Sequence, residues 1–188
     1  MIRSFLAVDF PNPEKETVAR YIEVLRRIPS SVKWVNPHQI HMTLKFFGAI
    51  PQETVDRIIS ELSPLASDFK NFKLTLKGLG GFPNLYRPRV IWLGLGGETV
   101  VLKDLQKKSD QALLPLGIPK EERPFRPHLT LGRNKSNELN EKLYQRLSQW
   151  PEEESPLFPV ESLLLYRSDL KPTGAVYTKL AEFPLKKE

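Results

Sequence analysis

The chain has 188 residues, of which 40% are hydrophobic and 27% are charged, a composition sufficient for one compact domain or for two small lobes that share a core. Such a composition excludes a disordered protein. With 28 lysine and arginine residues against 22 acidic ones, the formal net charge is +6 at pH 7, which favours an anionic partner such as nucleic acid without requiring one.

The sequence contains no cysteine, so it holds neither a disulfide nor a thiolate metal site nor a catalytic thiol. A short apolar run opens the chain, but Asp9 and Pro11 interrupt it well below the length of a signal sequence or a membrane span. We therefore expect a cytoplasmic protein with no export segment and no membrane-spanning segment.

The first half of the chain predicts the order β-α-β-α-β. Strands are expected at 4–10 and within 33–48, where the pattern is continuously apolar or alternating. Helices are expected at 12–28 and 52–66, because apolar residues recur there every three or four positions. Alternation of apolar with polar residues at 72–77 predicts the third strand.

The second half predicts the same alternation of elements, followed by an additional strand. The expected strands are 89–95, 123–132, 160–167 and 175–183, and the expected helices are 98–114 and 138–149. Phe5 precedes Thr43 by 38 residues, and Trp92 precedes Thr130 by the same 38 residues. This spacing indicates an internal duplication packed as two lobes. We predict a single α+β domain of residues 1–188 with pseudo-repeats at about 1–85 and 86–188.

Two of the three histidines open the same tetrapeptide at equivalent places in the two halves. Residues 41–44 read His-Met-Thr-Leu, and residues 128–131, about 87 positions later, read His-Leu-Thr-Leu. A chance match of this kind is roughly a one-in-ten-thousand event. The third histidine, His38, follows Asn36-Pro37 and is expected in a turn.

Side chains alternate across a strand, so His41 and Thr43 are expected on one face and His128 and Thr130 on the equivalent face of the other lobe. Approximate two-fold symmetry would bring these faces together across a cleft. Two imidazoles and two hydroxyls suit a phosphate, because displacement at phosphorus needs a base and an acid on opposite sides, and imidazole serves as either. Threonine hydroxyls can donate to the non-bridging oxygens.

Two other interpretations of the histidines are structural hydrogen bonding and zinc ligation. Zinc ligation is disfavoured because neither motif contains a third histidine, a cysteine or a carboxylate, which leaves the ligand set incomplete. We therefore predict no metal site.

Three cationic residues are candidates for binding the phosphate. Lys45 and Arg126 lie an even number of residues from the histidine of their motif, so alternation places both on the polar face. Arg133 is formally on the opposite face, but Gly132 can let the strand turn before it. Arginine binds phosphate through a planar fork and is preferred to Lys45; solvated surface charge is the alternative for all three.

Two further patterns have a structural and a functional interpretation. The Gly-Leu-Gly-Gly runs at 78–81 and 94–97 lack the Gly-Lys-Ser/Thr of a phosphate loop, so turn or strand-end glycines are expected. Four aromatic residues near strand ends are candidates either for stacking on a base or for filling the core. They are Phe46, Phe47, Phe82 and Tyr86.

The chain resembles the two-histidine phosphoesterase superfamily, whose mark is a duplicated His-x-Thr-x sequence. Within it, the chain is similar to the bacterial and archaeal RNA 2′,3′-cyclic phosphodiesterases, also called 2′-5′ RNA ligases. The similarity covers nearly the whole chain, from SFLAVDF through KWVNPHQIHMTLKFFG and ERPFRPHLTLGR to LLLYRSDL and GAVYTKLAEFPL. Met42 departs from the usual branched aliphatic residue, but it is expected to face the core.

The resemblance implies a bilobal fold, in which two antiparallel sheets form a V-shaped central cleft with helices on the outside, and metal-independent chemistry without a cofactor. By this likeness His41 would donate a proton to the leaving ribose 3′ oxygen and His128 would activate water, giving a 2′-phosphomonoester. Thr43 and Thr130 would hold phosphoryl oxygens. Arg133 matches a basic residue that often follows the second motif.

The expected substrate is therefore RNA with 2′,3′-cyclic phosphate ends, tRNA fragments included, acted on by a monomer, with ATP-independent 2′-5′ ligation as the reverse reaction. One alternative keeps the chemistry but assigns small cyclic nucleotides or 2′-5′ oligoadenylates as substrates. The other is a non-catalytic protein that binds RNA ends, for which RNA binding would not depend on the two histidines.

Overall fold

Helices and strands of the computed structural model follow closely the order that hydrophobic spacing predicts; the structure describes residues 1–136, 138–172 and 174–187. The helices are α1 (Asn12–Arg26), α2 (Gln52–Asp68), α3 (Thr99–Leu113) and α4 (Glu141–Ser148). The strands are β1 (Ile2–Asp9), β2 (Val32–Trp34), β3 (His41–Ile50), β4 (Phe72–Phe82), β5 (Val90–Gly97), β6 (His128–Asn134), β7 (Phe158–Val160), β8 (Ser162–Lys171) and β9 (Gly174–Pro184). Short 3₁₀ helices follow β2 and α3.

The strands form two antiparallel sheets, which confirms the predicted α+β class. The first sheet has the order β3-β1-β8-β9, and the second has the order β2-β6-β5-β4-β7. Each sheet holds one of the two histidine motifs: β3 is the edge strand of the first sheet, and β6 lies between β2 and β5 in the second.

Strand pairing crosses the boundary that was predicted between the two sequence halves. β4, from the first half, pairs with β5 in the second sheet, while β8 and β9, from the second half, extend the first sheet beside β1. The two sheets therefore do not coincide with the two sequence halves, and the duplication stays a prediction. Hydrophobic alternation identifies strands but not their partners, so this exchange leaves no signal in the pattern.

Two of the predicted strands are shorter than expected because of proline. The segment 33–48 divides into β2 and β3, with a 3₁₀ turn between them in which Asn36 Oδ1 accepts a hydrogen bond from the backbone N–H of His38. The segment 123–132 contains Pro124 and Pro127, which have no N–H to donate, and β6 begins only after them. Both breaks immediately precede a histidine motif.

The equal spacing of Phe5–Thr43 and Trp92–Thr130 does not extend to strand pairing. Ala7, rather than Phe5, is the cross-strand partner of Thr43, whereas Trp92 is the partner of Thr130. Ala7 and Trp92, the strand partners of the two motif threonines, are therefore separated by two residues fewer than the threonines themselves.

A hydrophobic core packs between the sheets and the helices. The apolar stripe of α1 is buried through Val18, Ile22 and Leu25, at the helical spacing that the sequence shows. α2 packs against α3 and β9, α3 against β3, and α4 against β4. Met42 and Leu129, which follow the two histidines, are fully buried, so each motif strand has one face in the core.

Candidate active site

A cleft of about 820 Å³ lies between the two sheets. Its walls include His41 and Thr43 from β3 and His128 and Thr130 from β6. The two polar faces predicted from the motifs therefore line the same cavity. Arg133 lines it as well.

Both motif strands contain a β-bulge at the same place. In β3, Leu6 and Ala7 pair with Lys45 and Thr43, so that Leu44 is left without a partner. In β6, the same omission falls on Leu131. A bulge adds one residue to a strand and reverses the faces of the residues that follow it. The residues beyond each motif thus lie on the opposite side from that predicted by alternation.

The bulge in β3 makes the prediction for Lys45 wrong. Its side chain is buried on the core side, where Nζ lies 2.5 Å from Oδ1 of Asp110 and donates to the carbonyl of Pro119 at 2.7 Å. Lys45 does not line the cleft. It joins β3 to α3 and to the segment after it.

The bulge in β6 places Arg133 on the cleft, as the sequence predicts, but for a different reason from the one expected. Gly132 does not make the turn, since the extra residue Leu131 reverses the face. Gly132 is needed because β2 approaches closely. A Cβ atom at this position would lie 2.6 Å from Cγ1 of Val32 and 3.0 Å from the Trp34 ring.

Arg126 precedes β6 and is exposed, and its side chain does not line the cleft, which contradicts its expected place there. Alternation fails for Arg126 because the Pro127 position lies outside the strand. Its backbone, however, reaches the site: the carbonyl of Arg126 accepts a hydrogen bond of 2.6 Å from Nδ1 of His128.

Both imidazoles are oriented by the backbone carbonyl two residues before them. Nδ1 of His41 donates to the carbonyl of Gln39 at 2.9 Å, in the same manner as His128 does to Arg126. A carbonyl oxygen can only accept, so Nδ1 carries a hydrogen in both rings. Nε2 of each ring is thereby left for proton transfer in the cleft.

Aromatic side chains hold each histidine ring in place. Phe5 of β1 stacks on His41 with ring centroids 4.6 Å apart, and Tyr177 of β9 meets the same ring edge-on at 5.0 Å. In the second sheet, Phe82 of β4 meets the His128 ring edge-on, with ring centroids 4.9 Å apart. Phe82, expected to stack on a base or fill the core, thus packs against a histidine instead.

The other aromatic candidates lie away from the histidines. Phe46 is 48% exposed, with the guanidinium carbon of Arg3 4.4 Å from its ring centroid, so it does not fill the core. Phe47 packs against the core, and Tyr86 is exposed beside Tyr144.

Burial lowers the pKa of both histidines below the ordinary value of 6.5. Hydrogen bonding to a carbonyl opposes this in each case, but the neighbouring charges differ in sign. Asp9, the cross-strand partner of His41, raises the pKa of that ring, while Arg133 lowers the pKa of His128 further. Lys15 contacts Asp9 at 2.7 Å and weakens its effect.

Among the residues that the structure describes, no cluster of three or more histidine and carboxylate side chains is placed to hold a metal ion. Within the same ranges, no helix is both long and apolar enough to cross a bilayer.

Sequence reasoning missed several residues of the site: Phe5, Asp9, Tyr177, and the basic side chains of Arg26 and Lys33 that line the cleft. Each reaches the site through strand pairing or through packing between distant segments. Tyr177 and Lys33 lie in segments whose alternation was visible, but only the sheet order shows what they face.

Comparisons with known proteins place the chain among phosphoesterases. The sequence model of the 2′-5′ RNA ligase superfamily matches residues 13–172. A protein of Methanothermobacter thermautotrophicus named RNA 2′,3′-cyclic phosphodiesterase is 33% identical over 184 residues, covering 98% of this chain and 99% of its own. One of the same name from Aquifex aeolicus is 36% identical, covering 87% and 90%. The crystal structure of a Thermus thermophilus protein, TT0787, has a TM-score of 0.81 at 31% identity, and the match covers 100% of both chains.

Proposed function

Because this chain belongs to the 2′-5′ RNA ligase superfamily, we propose that it hydrolyses the 2′,3′-cyclic phosphate ends of RNA to 2′-phosphomonoesters. The observation that carries the proposal is the cleft lined by two His-x-Thr motifs, one from each sheet, whose imidazoles are both fixed at Nδ1. The names of the relatives, RNA 2′,3′-cyclic phosphodiesterase, support this substrate class.

In the proposed reaction His128 acts as the base. Its Nε2 takes a proton from water as the oxygen attacks phosphorus, and the bond between phosphorus and the ribose 3′ oxygen breaks. Nε2 of His41, protonated at the start, gives its proton to that leaving oxygen. The phosphate stays on the 2′ oxygen. His128 then releases a proton to solvent and His41 takes one up, which restores both rings.

The charges around the two rings support this division of roles. The carboxylate of Asp9 favours the protonated form of His41, which an acid requires, and the guanidinium of Arg133 favours the neutral form of His128, which a base requires. Burial lowers the pKa of both rings, whereas Asp9 and Arg133 act on their rings in opposite directions.

Three cleft residues are proposed to stabilise the charge that develops on the phosphoryl oxygens. The hydroxyls of Thr43 and Thr130 can each donate to a non-bridging oxygen, one from either sheet. Arg133 supplies positive charge and a planar pair of donors.

The same arrangement supports ATP-independent 2′-5′ ligation as a side activity. The 5′ hydroxyl of a second RNA takes the place of water: His128 removes its proton, its oxygen attacks phosphorus, and the 3′ oxygen leaves with the proton of His41. The product is a 2′-5′ phosphodiester. Opening the cyclic ester provides the driving force, and cleavage of the linkage follows the same steps in reverse, with the two histidines exchanging roles.

The proposal is tested by incubating the protein with an oligoribonucleotide that ends in a 2′,3′-cyclic phosphate, in buffer containing EDTA, and locating the product phosphate by ³¹P NMR. We expect turnover to a 2′-phosphomonoester. A 3′-phosphomonoester would contradict the proposed leaving group, and activity abolished by EDTA would favour a metal mechanism. The variant with both His41→Ala and His128→Ala controls for contaminating nucleases.

A further inference from the structure

Three basic side chains line one wall of the cleft. Arg133 belongs to β6, Lys33 to the neighbouring strand β2, and Arg26 to the last turn of α1. All three are exposed. Lys33 lies on β2, which pairs with β6 on the side away from β5, and α1 packs against the 3₁₀ helix that follows β2.

Lys33 is the direct cross-strand partner of Arg133. Side chains in such a pair lie on the same face and within about 5 Å at Cβ, so two like charges repel each other there. No carboxylate relieves this repulsion: among the described residues, none forms an ion pair with Lys33, Arg133 or Arg26.

Two other lysines of the strands have acidic partners. Lys77 of β4 lies 2.6 Å from Glu154, and Lys45 of β3 lies 2.5 Å from Asp110. Among the registered pairs of the described strands, Lys33–Arg133 is the one that places two like charges opposite each other. An anion bound between the three side chains would remove the repulsion.

We propose that Lys33 and Arg26 form a second phosphate subsite, which binds the phosphodiester preceding the terminal nucleotide while Arg133 binds the cyclic phosphate. This inference rests on the proposed function. A single strand of RNA carries one negative charge per nucleotide, so a substrate with one more nucleotide brings a second phosphate to the same wall. The enzyme then selects oligonucleotide ends over mononucleotide cyclic phosphates.

The experiment compares three substrates: a nucleoside 2′,3′-cyclic phosphate, a dinucleotide ending in the cyclic phosphate, and the same dinucleotide with its internal linkage replaced by a neutral methylphosphonate. The double variant Arg26→Gln/Lys33→Gln is compared with the control Arg57→Gln/Lys103→Gln, which removes the same charge from exposed positions of α2 and α3. The readout is the ratio of kcat/KM on each dinucleotide to that on the mononucleotide.

We expect the native dinucleotide to be preferred, and the preference to fall about tenfold in the double variant but not in the control. The methylphosphonate should lower the preference of the natural enzyme by a similar factor and should lower that of the double variant no further. The dependence of log KM on log salt for the dinucleotide should also become less steep in the double variant.

Three results would count against these ideas in distinguishable ways. No hydrolysis of any of the three substrates would overturn the proposed function itself. Hydrolysis with an equal kcat/KM on mononucleotide and dinucleotide would leave the function standing and overturn the subsite. A preference that survives in the double variant, or a methylphosphonate effect as large there as in the natural protein, would also overturn the subsite.

Discussion

The motif strands β3 and β6 begin with the same His-x-Thr-Leu pattern and share a bulge at the same leucine, yet they differ in the two residues that follow. In β3 these are Lys45 and Phe46, a buried ion-pair partner and an exposed ring away from the cleft. In β6 they are Gly132 and Arg133, a close approach to β2 and a cation on the cleft.

This comparison shows what is shared between the strands and what has diverged. The bulged backbone and the His-Thr pair of side chains are the same in both strands, whereas the basic residue that follows each motif lies in a different environment. Lys45 forms a buried ion pair with Asp110, and Arg133 lines the cleft. The matching bulges support our proposal that the chain is one domain built by duplication.

The largest effect is expected from the histidines themselves. His41→Ala and His128→Ala should each lower kcat by about a hundredfold to ten-thousandfold, roughly 3 to 5 kcal/mol, with a smaller change in KM, because each removes one of the two proton transfers. Single-turnover and steady-state rates on a cyclic-phosphate oligonucleotide measure this. A near-native rate in either variant would remove that histidine from the mechanism.

Substitution of Lys45 should show the difference between the two strands most clearly, because it should change the free energy of unfolding. Lys45→Met should lower the free energy of unfolding by about 3–5 kcal/mol, because it leaves the buried carboxylate of Asp110 without its partner. Denaturant unfolding measures the change. The double variant Lys45→Met/Asp110→Leu should recover much of it; an unaltered stability in the single variant would mean that the pair does not contribute to the fold.

Arg133 should behave in the opposite way. Arg133→Gln should lower kcat/KM by about tenfold to a hundredfold while leaving the unfolding midpoint almost unchanged, because the side chain is exposed and makes no ion pair within the described ranges. Phe46→Leu, at the equivalent place in β3, is the matched control. A larger loss of activity in Phe46→Leu would reverse the comparison.

The smallest effects concern the pKa values of the two rings, which NMR titration resolves because the chain has only three histidines. Asp9→Asn removes a charge that raises the pKa of His41, so that pKa should fall; Arg133→Gln removes a charge that lowers the pKa of His128, so that one should rise. Shifts of the same sign would contradict the assignment of roles.

The pH profile of kcat/KM follows from the same electrostatics. The pKa values of both rings are held below the ordinary 6.5 by burial, so the bell-shaped profile of the free enzyme should be centred on the acid side of pH 6.5. A profile centred well above pH 7 would show that the rings are not desolvated as the cleft implies.

Much of this site was predictable from the sequence because it depends on local patterns. The repeated tetrapeptide identified His41 and His128, and alternation placed each threonine beside its histidine. The burial of Met42 followed from the same rule. These inferences span four residues of one strand, a distance over which alternation holds.

The rest of the site depends on a bulge and on long-range strand pairing, neither of which is encoded by alternation along the sequence. One unpaired leucine reversed the face of Lys45, and the exchange of strands between the sequence halves decided which residues surround the rings. Asp9 and Lys33 are the cross-strand partners of His41 and Arg133, so their positions beside these residues follow from register rather than from any local motif. Local patterns therefore predict the motif residues but not the long-range strand pairing that places other residues around them.

Our central claim is that two similar histidines perform opposite proton transfers during one substitution at phosphorus: His128 takes a proton from the attacking oxygen, and His41 gives one to the leaving oxygen. Changing the leaving group tests this claim most directly. The substrate is a 3′-deoxynucleoside carrying a p-nitrophenyl phosphodiester on its 2′ oxygen, whose leaving group departs without a proton. The account predicts that His41→Ala loses far less activity on this ester than on the cyclic phosphate, while His128→Ala loses as much on both. Equal losses for His41→Ala on the two substrates would contradict it.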